Sequence, residues 1–280
     1  MLKKLFAALL CFLGITSSFS QENSLLWSVS GNGLKQTSYL YGTVHLICED
    51  DFEIKEKVNT AFDQCDQLFL EIDMDDSKEM GAMIASATGE QPLTEILSIE
   101  QQQKLNEKLQ ADLGLTIEAV NNYSLTTISS LFMMNGMDCK MVKSYEQEFI
   151  AMAQAKGIEI EGLEKVAFQL ECLNNSMSNN KIFETIFDED LDGFLDSLIS
   201  LYNAEDLTAM ETMFLGGEYM SENEREWLLE TRNDNWVKRM PKIMKKNPTF
   251  FAVGTAHLLG EDGLIELLRA QGYTVTPIFQ

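Results

Sequence analysis

Tyr39-Leu40-Tyr41-Gly42-Thr43-Val44-His45-Leu46 and Phe251-Ala252-Val253-Gly254-Thr255-Ala256-His257-Leu258 repeat one pattern near opposite ends of the chain. Each is a short apolar run ending in Gly-Thr-x-His-Leu. Each is followed by an acidic loop, Glu49-Asp50-Asp51 in one and Glu261-Asp262 in the other. Helical spacing and a second apolar run come next. Strand, loop, helix, strand, read twice, predicts an α/β fold whose duplicated units build a central sheet. His45 and His257 are the only two histidines in 280 residues, and they hold the same place in the repeat. Glycine at a strand end permits close backbone approach. The residue three later then leaves the sheet edge, where open α/β sheets bind ligands.

Working outward, strands are expected at Leu25 to Ser30, Ser38 to Val44, Gln67 to Asp73, Ile158 to Leu163, Phe250 to Val253 and Tyr273 to Phe279. Ile54 to Cys65 and Gly263 to Ala270 supply the helices of the two units. Between the units, from about 75 to 245, a large helical insertion is predicted, interrupted by the Ile158 strand. Its helices are read at Leu93 to Leu113, Ile117 to Met134, Tyr145 to Lys156, Val166 to Ser176, Ile182 to Tyr202 and Ser221 to Met240. Ser221 followed by Glu224 is a capping box, and Pro241 is expected to end or kink the last helix. Met133, Met134 and Met137 read as core filling rather than as a plastic binding surface.

The chain carries 44 acids against 21 bases, a net charge of −23. A phosphate backbone demands a basic surface, so nucleic acid is excluded as a partner, and adhesion to anionic lipid is disfavoured. Cationic ligands or metal ions suit the charge. Met1 to Ser20 has the charged, apolar, small-residue order of a secretory signal peptide, with Lys3 and Lys4 ahead of Leu5 to Ile15. A cut near Ser20/Gln21 is expected, leaving 21–280 as one domain without a membrane span. A lipoprotein reading through Cys11 fits its neighbours Leu10 and Phe12 poorly. Removing Lys3 and Lys4 leaves 19 bases against 44 acids, or −25. Export to a periplasmic or secreted location places Cys48, Cys65, Cys139 and Cys172 where thiols can pair. Four cysteines allow three pairings, and structural disulfides or buried thiols are favoured over a catalytic cysteine.

Two histidines exclude a three-histidine metal centre. If the two units pack about a pseudo-twofold axis, His45 and His257 face one another, and with carboxylates they would hold a divalent ion. Glu71, flanked by Leu70 and Ile72, is costly to bury without a cationic partner. Glu164 follows a strand in Gly162-Leu163-Glu164. Glu146 opens the Tyr145 helix, where a role at the site and a favourable charge on the helix dipole are equal accounts. Arg232, in Arg232-Asn233-Asp234-Asn235-Trp236 within a helix, has two readings, a bidentate grip on a carboxylate or the solvated charge usual on a helix.

These residues resemble the TraB/GumN family, which includes the Tiki proteins. The resemblance runs from Leu25-Leu26-Trp27-Ser28-Val29 through both Gly-x-x-His motifs. It takes in Leu70-Glu71-Ile72-Asp73, Ser144-Tyr145-Glu146, Gly162-Leu163-Glu164 and Arg232-Asn233 with Trp236, and ends at Leu268-Arg269-Ala270-Gln271-Gly272-Tyr273. It implies a metal-dependent protease with manganese or cobalt as the usual activators, and the divalent ion expected for this chain is manganese, cobalt or zinc. The wider fold is shared with erythromycin-esterase-like and ChaN-like proteins. By position, His45, His257, Glu71 and Glu164 match best. Glu146 falls where many bacterial members have aspartate.

The function expected is metal-assisted hydrolysis of a peptide or small-molecule substrate outside the cytoplasm. His45, His257 and Glu71 or Glu164 would hold the ion, a remaining glutamate would act as base and then acid, and Arg232 would orient a carboxylate or stabilise an oxyanion. Two alternatives use the same cleft. One is a non-catalytic binder of peptide, haem or small molecule, and the other a metal-independent, esterase-like hydrolase with a histidine as base.

Overall fold

The strands of the two Gly-Thr-x-His-Leu repeats lie side by side and parallel. They belong to a computed structural model that describes residues 23–279 apart from 138, 189–190 and 218. The expected leader, its cut near Gln21 and Cys11 lie outside the described residues. In chain order the strands are β1 (Leu26–Ser30), β2 (Ser38–Thr43), β3 (Ile47–Cys48), β4 (Gln67–Ile72), β5 (Val142–Lys143), β6 (Glu159–Glu164), β7 (Thr249–Gly254) and β8 (Thr274–Pro277). Six of them form one sheet in the order β6-β4-β7-β2-β1-β8. β6, β4, β7 and β2 are mutually parallel, while β1 runs antiparallel to both β2 and β8. The structure is therefore α/β, as the alternation implied.

The two units interlock. The first runs from β2 through the helix Glu56–Asp63 to β4, and β7 lies between its two strands. The second runs from β7 through the helix Leu264–Ala270 to β8, passing β2 and β1. Crossovers that leave one strand pair in opposite directions create a switch point at the carboxyl ends of β2 and β7. Contact between the repeats is tight there. A Cβ on Gly42 would lie 2.9 Å from both Leu258 Cδ1 and Thr255 Oγ1, and the Thr255 hydroxyl donates to the Thr43 carbonyl at 2.9 Å.

Strand alternation sends successive side chains to opposite faces. Phe250 and Tyr41 face the helices Glu56–Asp63 and Tyr145–Lys156, with ring centroids 5.2 Å from Phe62 to Phe250 and 5.6 Å from Tyr41 to Phe149. Gln67 and Glu71 point the other way, toward the helix Thr231–Lys246. Gln67 donates to the Ile243 carbonyl and Glu71 pairs with Arg232. Both faces are thus covered, which is why the central strands read as nearly unbroken apolar runs.

Residues 75–245 divide in two. β6 joins the sheet edge, and the helices Tyr145–Lys156 and Thr231–Lys246 share the main core. A second core, built by Leu93, Leu105, Leu109, Ile128, Phe132 and Phe183 among others, stands apart from it. Two of the long helices expected there, Leu93 to Leu113 and Ile117 to Met134, are broken by their own serines. Ser98 caps Ile99–Lys108 in a capping box with Gln101, and Ser124 caps Leu125–Gly136. Met133 and Met134 are 38% and 45% exposed rather than core-filling. Ser221 and Glu224 do form their capping box. Pro241, however, does not end its helix, which continues to Lys246. Proline lacks the N–H that would bond the Val237 carbonyl, and the Gln271 side chain donates to that carbonyl instead, at 3.1 Å. Of the four described cysteines, Cys48 and Cys139 are bonded, and Cys65 and Cys172 are buried thiols. No helix of the described residues is long and apolar enough to cross a membrane.

Candidate active site

The repeated histidines leave the carboxyl ends of β2 and β7 together, but their backbones then diverge. After Gly254 the chain curls into a single tight turn, Thr255–Leu258, which buries His257. After Thr43 it extends to β3, which pairs with β5 and is bonded through Cys48 to Cys139. That pull leaves the His45 side chain 68% exposed. One motif thus presents two different imidazoles.

His257 is fixed by its neighbours. The Asn233 amide nitrogen donates to the carbonyls of His257 and Asp262, so its oxygen must be the atom facing His257 Nδ1 at 2.7 Å. Nδ1 therefore carries the hydrogen. Nε2 keeps its lone pair and accepts from Arg232 Nη1 at 3.1 Å. Burial, together with the Arg232 charge, drives the His257 pKa down to about 3, so the ring is neutral.

Arg232 is the hub. Its Nε and Nη2 donate to Glu164 Oε1 at 2.9 and 2.7 Å, and Nη2 also reaches Glu71 Oε2 at 2.6 Å. The guanidinium stacks on Trp236, whose Nε1 donates to Glu164 Oε2 at 2.8 Å. A wide turn at Glu226–Glu230 immediately precedes the helix that carries Arg232, Asn233 and Trp236. Such turns recur at functional sites. Two buried carboxylates share one guanidinium, and they divide accordingly. Burial alone would raise the Glu71 carboxyl, but Arg232, both histidines and the Gly254 N–H outweigh it and hold it far below the usual range. Burial wins at Glu164, which is pushed up against the opposing pull of Arg232.

His45 has its own partner. Its Nδ1 lies 3.2 Å from Glu146 Oε1, and a carboxylate only accepts, so Nδ1 donates. Thr43 and Ser144 each donate to Glu146 at 2.7 Å. Burial would raise the Glu146 carboxyl, but His45 and these hydroxyls hold it lower. In return the Glu146 hydrogen bond pushes His45 up to about 9. Glu146 is therefore the orienting acceptor for His45, more than a charge on a helix dipole.

The two halves meet at Gly254. Its N–H donates to Glu71 Oε1 at 2.7 Å. A Cβ at this position would lie 3.2 Å from Glu71 Oε1, 3.6 Å from His257 Cδ2 and 3.8 Å from His45 Nε2. Glycine thus keeps open a cradle bounded by one carboxylate oxygen and one imidazole nitrogen. Imidazole and carboxylate are donor types that manganese, cobalt and zinc accept. Among the described residues no three histidines, cysteines or acids are gathered as a ready ligand group. The third donor, His257 Nε2, is 3.8 Å from Glu71 Oε1 but is held by Arg232. Glu164 spends both oxygens on Arg232 and Trp236.

All six residues singled out in the sequence, His45, His257, Glu71, Glu164, Glu146 and Arg232, come together here. Sequence patterns assign no role to the supporting partners Asn233, Trp236, Thr43 and Ser144. Asn233 and Trp236 stand out in the sequence only as neighbours of Arg232. The shared threonine of the two motifs was a signal for Thr43.

The model of the TraB/PrgY/gumN family matches residues 25–277 of the chain. Two curated relatives are similar over most of it. "Metalloprotease TIKI2" of Danio rerio is 23% identical over 314 residues, covering 90% of this chain and 60% of the relative. "Metalloprotease TIKI1" of Xenopus tropicalis is 22% identical over 317 residues, covering 91% and 62%. The chain thus spans about three-fifths of the length of these relatives. No solved structure matches it.

Proposed function

The chain belongs to the TraB/PrgY/gumN family, and from that premise we propose that it is a metal-dependent hydrolase acting on peptides or proteins outside the cytoplasm. The observation that carries the reading is the cradle at Gly254, where His45 Nε2 and Glu71 Oε1 converge on space that a side chain would fill. The names of the two metalloprotease relatives support the peptide substrate and the metal. The leader-like Met1 to Ser20 and the Cys48–Cys139 bond support export.

His45 and Glu71 would hold the ion, with His257 as third donor once Arg232 yields Nε2. When bound, the ion would polarise a carbonyl and activate water. The chain's own groups do the rest. Glu146 fixes the His45 tautomer and ring plane, as carboxylates behind metal-binding imidazoles do. Arg232, clamped by Glu71 and Glu164, offers positive charge beside the cradle to steady a developing oxyanion. Asn233 fixes the tautomer of His257 and aims its ring, while burial and Arg232 keep it neutral. Glu164 holds Arg232 and stays out of proton transfer.

A specific observation favours a second reading, a hydrolase that needs no metal. Arg232 already supplies a cation among these acids, and His45 with Glu146 has the base-and-orienter arrangement of acyl-transfer sites. A peptide library incubated with EDTA-stripped protein, with and without added manganese, cobalt or zinc, separates the two. Cleavage only after metal addition, lost in Glu71→Gln and His45→Ala, supports the first. Full cleavage after chelation supports the second. No cleavage under any condition sinks both.

A further inference from the structure

Beside the histidine site, a cavity of about 470 Å³ opens on the Tyr41 face of the sheet. Its inner wall is Tyr41, Tyr145 and Tyr202, all buried. Asp50, Asp51 and Glu53, on the segment that follows His45, line it from the solvent side. The tyrosine hydrogens are all spent. Tyr202 donates to the Gly42 carbonyl at 3.1 Å, and Tyr145 to the Glu53 carbonyl at 3.0 Å. With the single Tyr202 hydrogen used, the 3.2 Å contact between Tyr41 and Tyr202 must have Tyr41 as donor. The three hydroxyls therefore have only lone pairs left to offer.

The acids add to this. Glu49 is paired with Lys143, and Glu205 takes both Lys55 and Lys57. Asp50, Asp51 and Glu53 have no ion-pair partner among the described residues. Lys55 also lines the cavity, but its ammonium is committed to Glu205 and the Asn203 carbonyl. Unpaired carboxylates at the mouth of a cavity walled by tyrosines whose hydroxyl hydrogens are spent suit a ligand that is cationic and has only donors. The cavity is coupled to the site by adjacent residues. Tyr145 lines it while Glu146 orients His45, and Tyr202 holds the carbonyl of Gly42 in the first motif.

We propose that this cavity is a subsite for the basic side chain of a peptide, the ammonium of lysine or the guanidinium of arginine, seated while the peptide backbone passes His45. The assignment rests on the hydrolase reading for its peptide substrate, but binding can be measured without turnover. Calorimetry in EDTA would compare the peptide acetyl-Ala-Ala-Lys-Ala-Ala-amide with its norleucine counterpart on the full chain. The lysine peptide should bind about tenfold more tightly or better. An Asp51→Asn/Glu53→Gln variant, altering only exposed acids, should bring it down to the norleucine level. Equal binding of the two peptides, absence of binding by either, or an unchanged lysine affinity in the variant would overturn the assignment. Lysine-selective binding without metal-supported cleavage would retire the hydrolase reading and leave the subsite standing. Cleavage with no preference for a basic residue would do the reverse.

Discussion

Replacing Arg232 with methionine should reveal how the centre is held together. The guanidinium donates to Glu71 and Glu164 within 2.9 Å and to His257 at 3.1 Å, and all four side chains are buried. Removing one partner of a buried ionic cluster leaves uncompensated charge, at a cost of about 3–5 kcal/mol. For a chain of this size that is a fall in melting temperature of roughly 10 °C. Its pH dependence is diagnostic. In the native protein the folded pKa of Glu71 lies below its unfolded value. Its contribution to stability is present above the unfolded pKa and is lost as pH falls through the folded one. Without Arg232, burial should raise both carboxyls above their unfolded values. The folded state then binds more protons, so stability falls as pH rises. The deficit should be larger at pH 7.5 than at pH 5. Urea melts followed by tryptophan fluorescence, with Trp236 in the cluster, would measure it. A loss below about 1 kcal/mol at both pH values would refute the reasoning, as would a deficit independent of pH. Adding Glu71→Gln and Glu164→Gln should recover much of the loss, because the stranded charges go with the arginine.

Three further outcomes are expected. Because unliganded His45 titrates near 9, manganese must displace its proton, so calorimetric affinity should rise with pH toward that value and then level off. Glu146→Gln should shift this rise to lower pH and cut affinity roughly 10–100-fold; an affinity flat with pH would exclude His45 as a ligand. Gly254→Ala should fill the cradle, abolishing metal binding in a titration while unfolding costs change by no more than about 1–3 kcal/mol. Cys48→Ser/Cys139→Ser opens a link spanning 91 residues, which the chain-entropy model values at about 4–5 kcal/mol; unchanged urea melts would show that the bond constrains little.

The sequence by itself determined the sheet and the identity of the central residues. Strand-length apolar runs and helical spacing are local patterns, and two matching Gly-Thr-x-His-Leu segments single out both histidines without any knowledge of contacts. Glu71 announced itself because an acid between Leu70 and Ile72 needs a buried cation. Local signals failed where partners are distant. Ser98 and Ser124 break long apolar patterns by capping, and Pro241 stays helical because Gln271, from another helix end, supplies the missing donor. Only the tertiary structure decided that the two histidines differ. Their motifs are alike, but a disulfide and a strand pair draw one segment outward to Glu146, while a tight turn folds the other inward onto Asn233 and Arg232. Protonation and hydrogen bonding depend on what lies opposite in space, and for both histidines those partners lie at least 24 residues away along the chain.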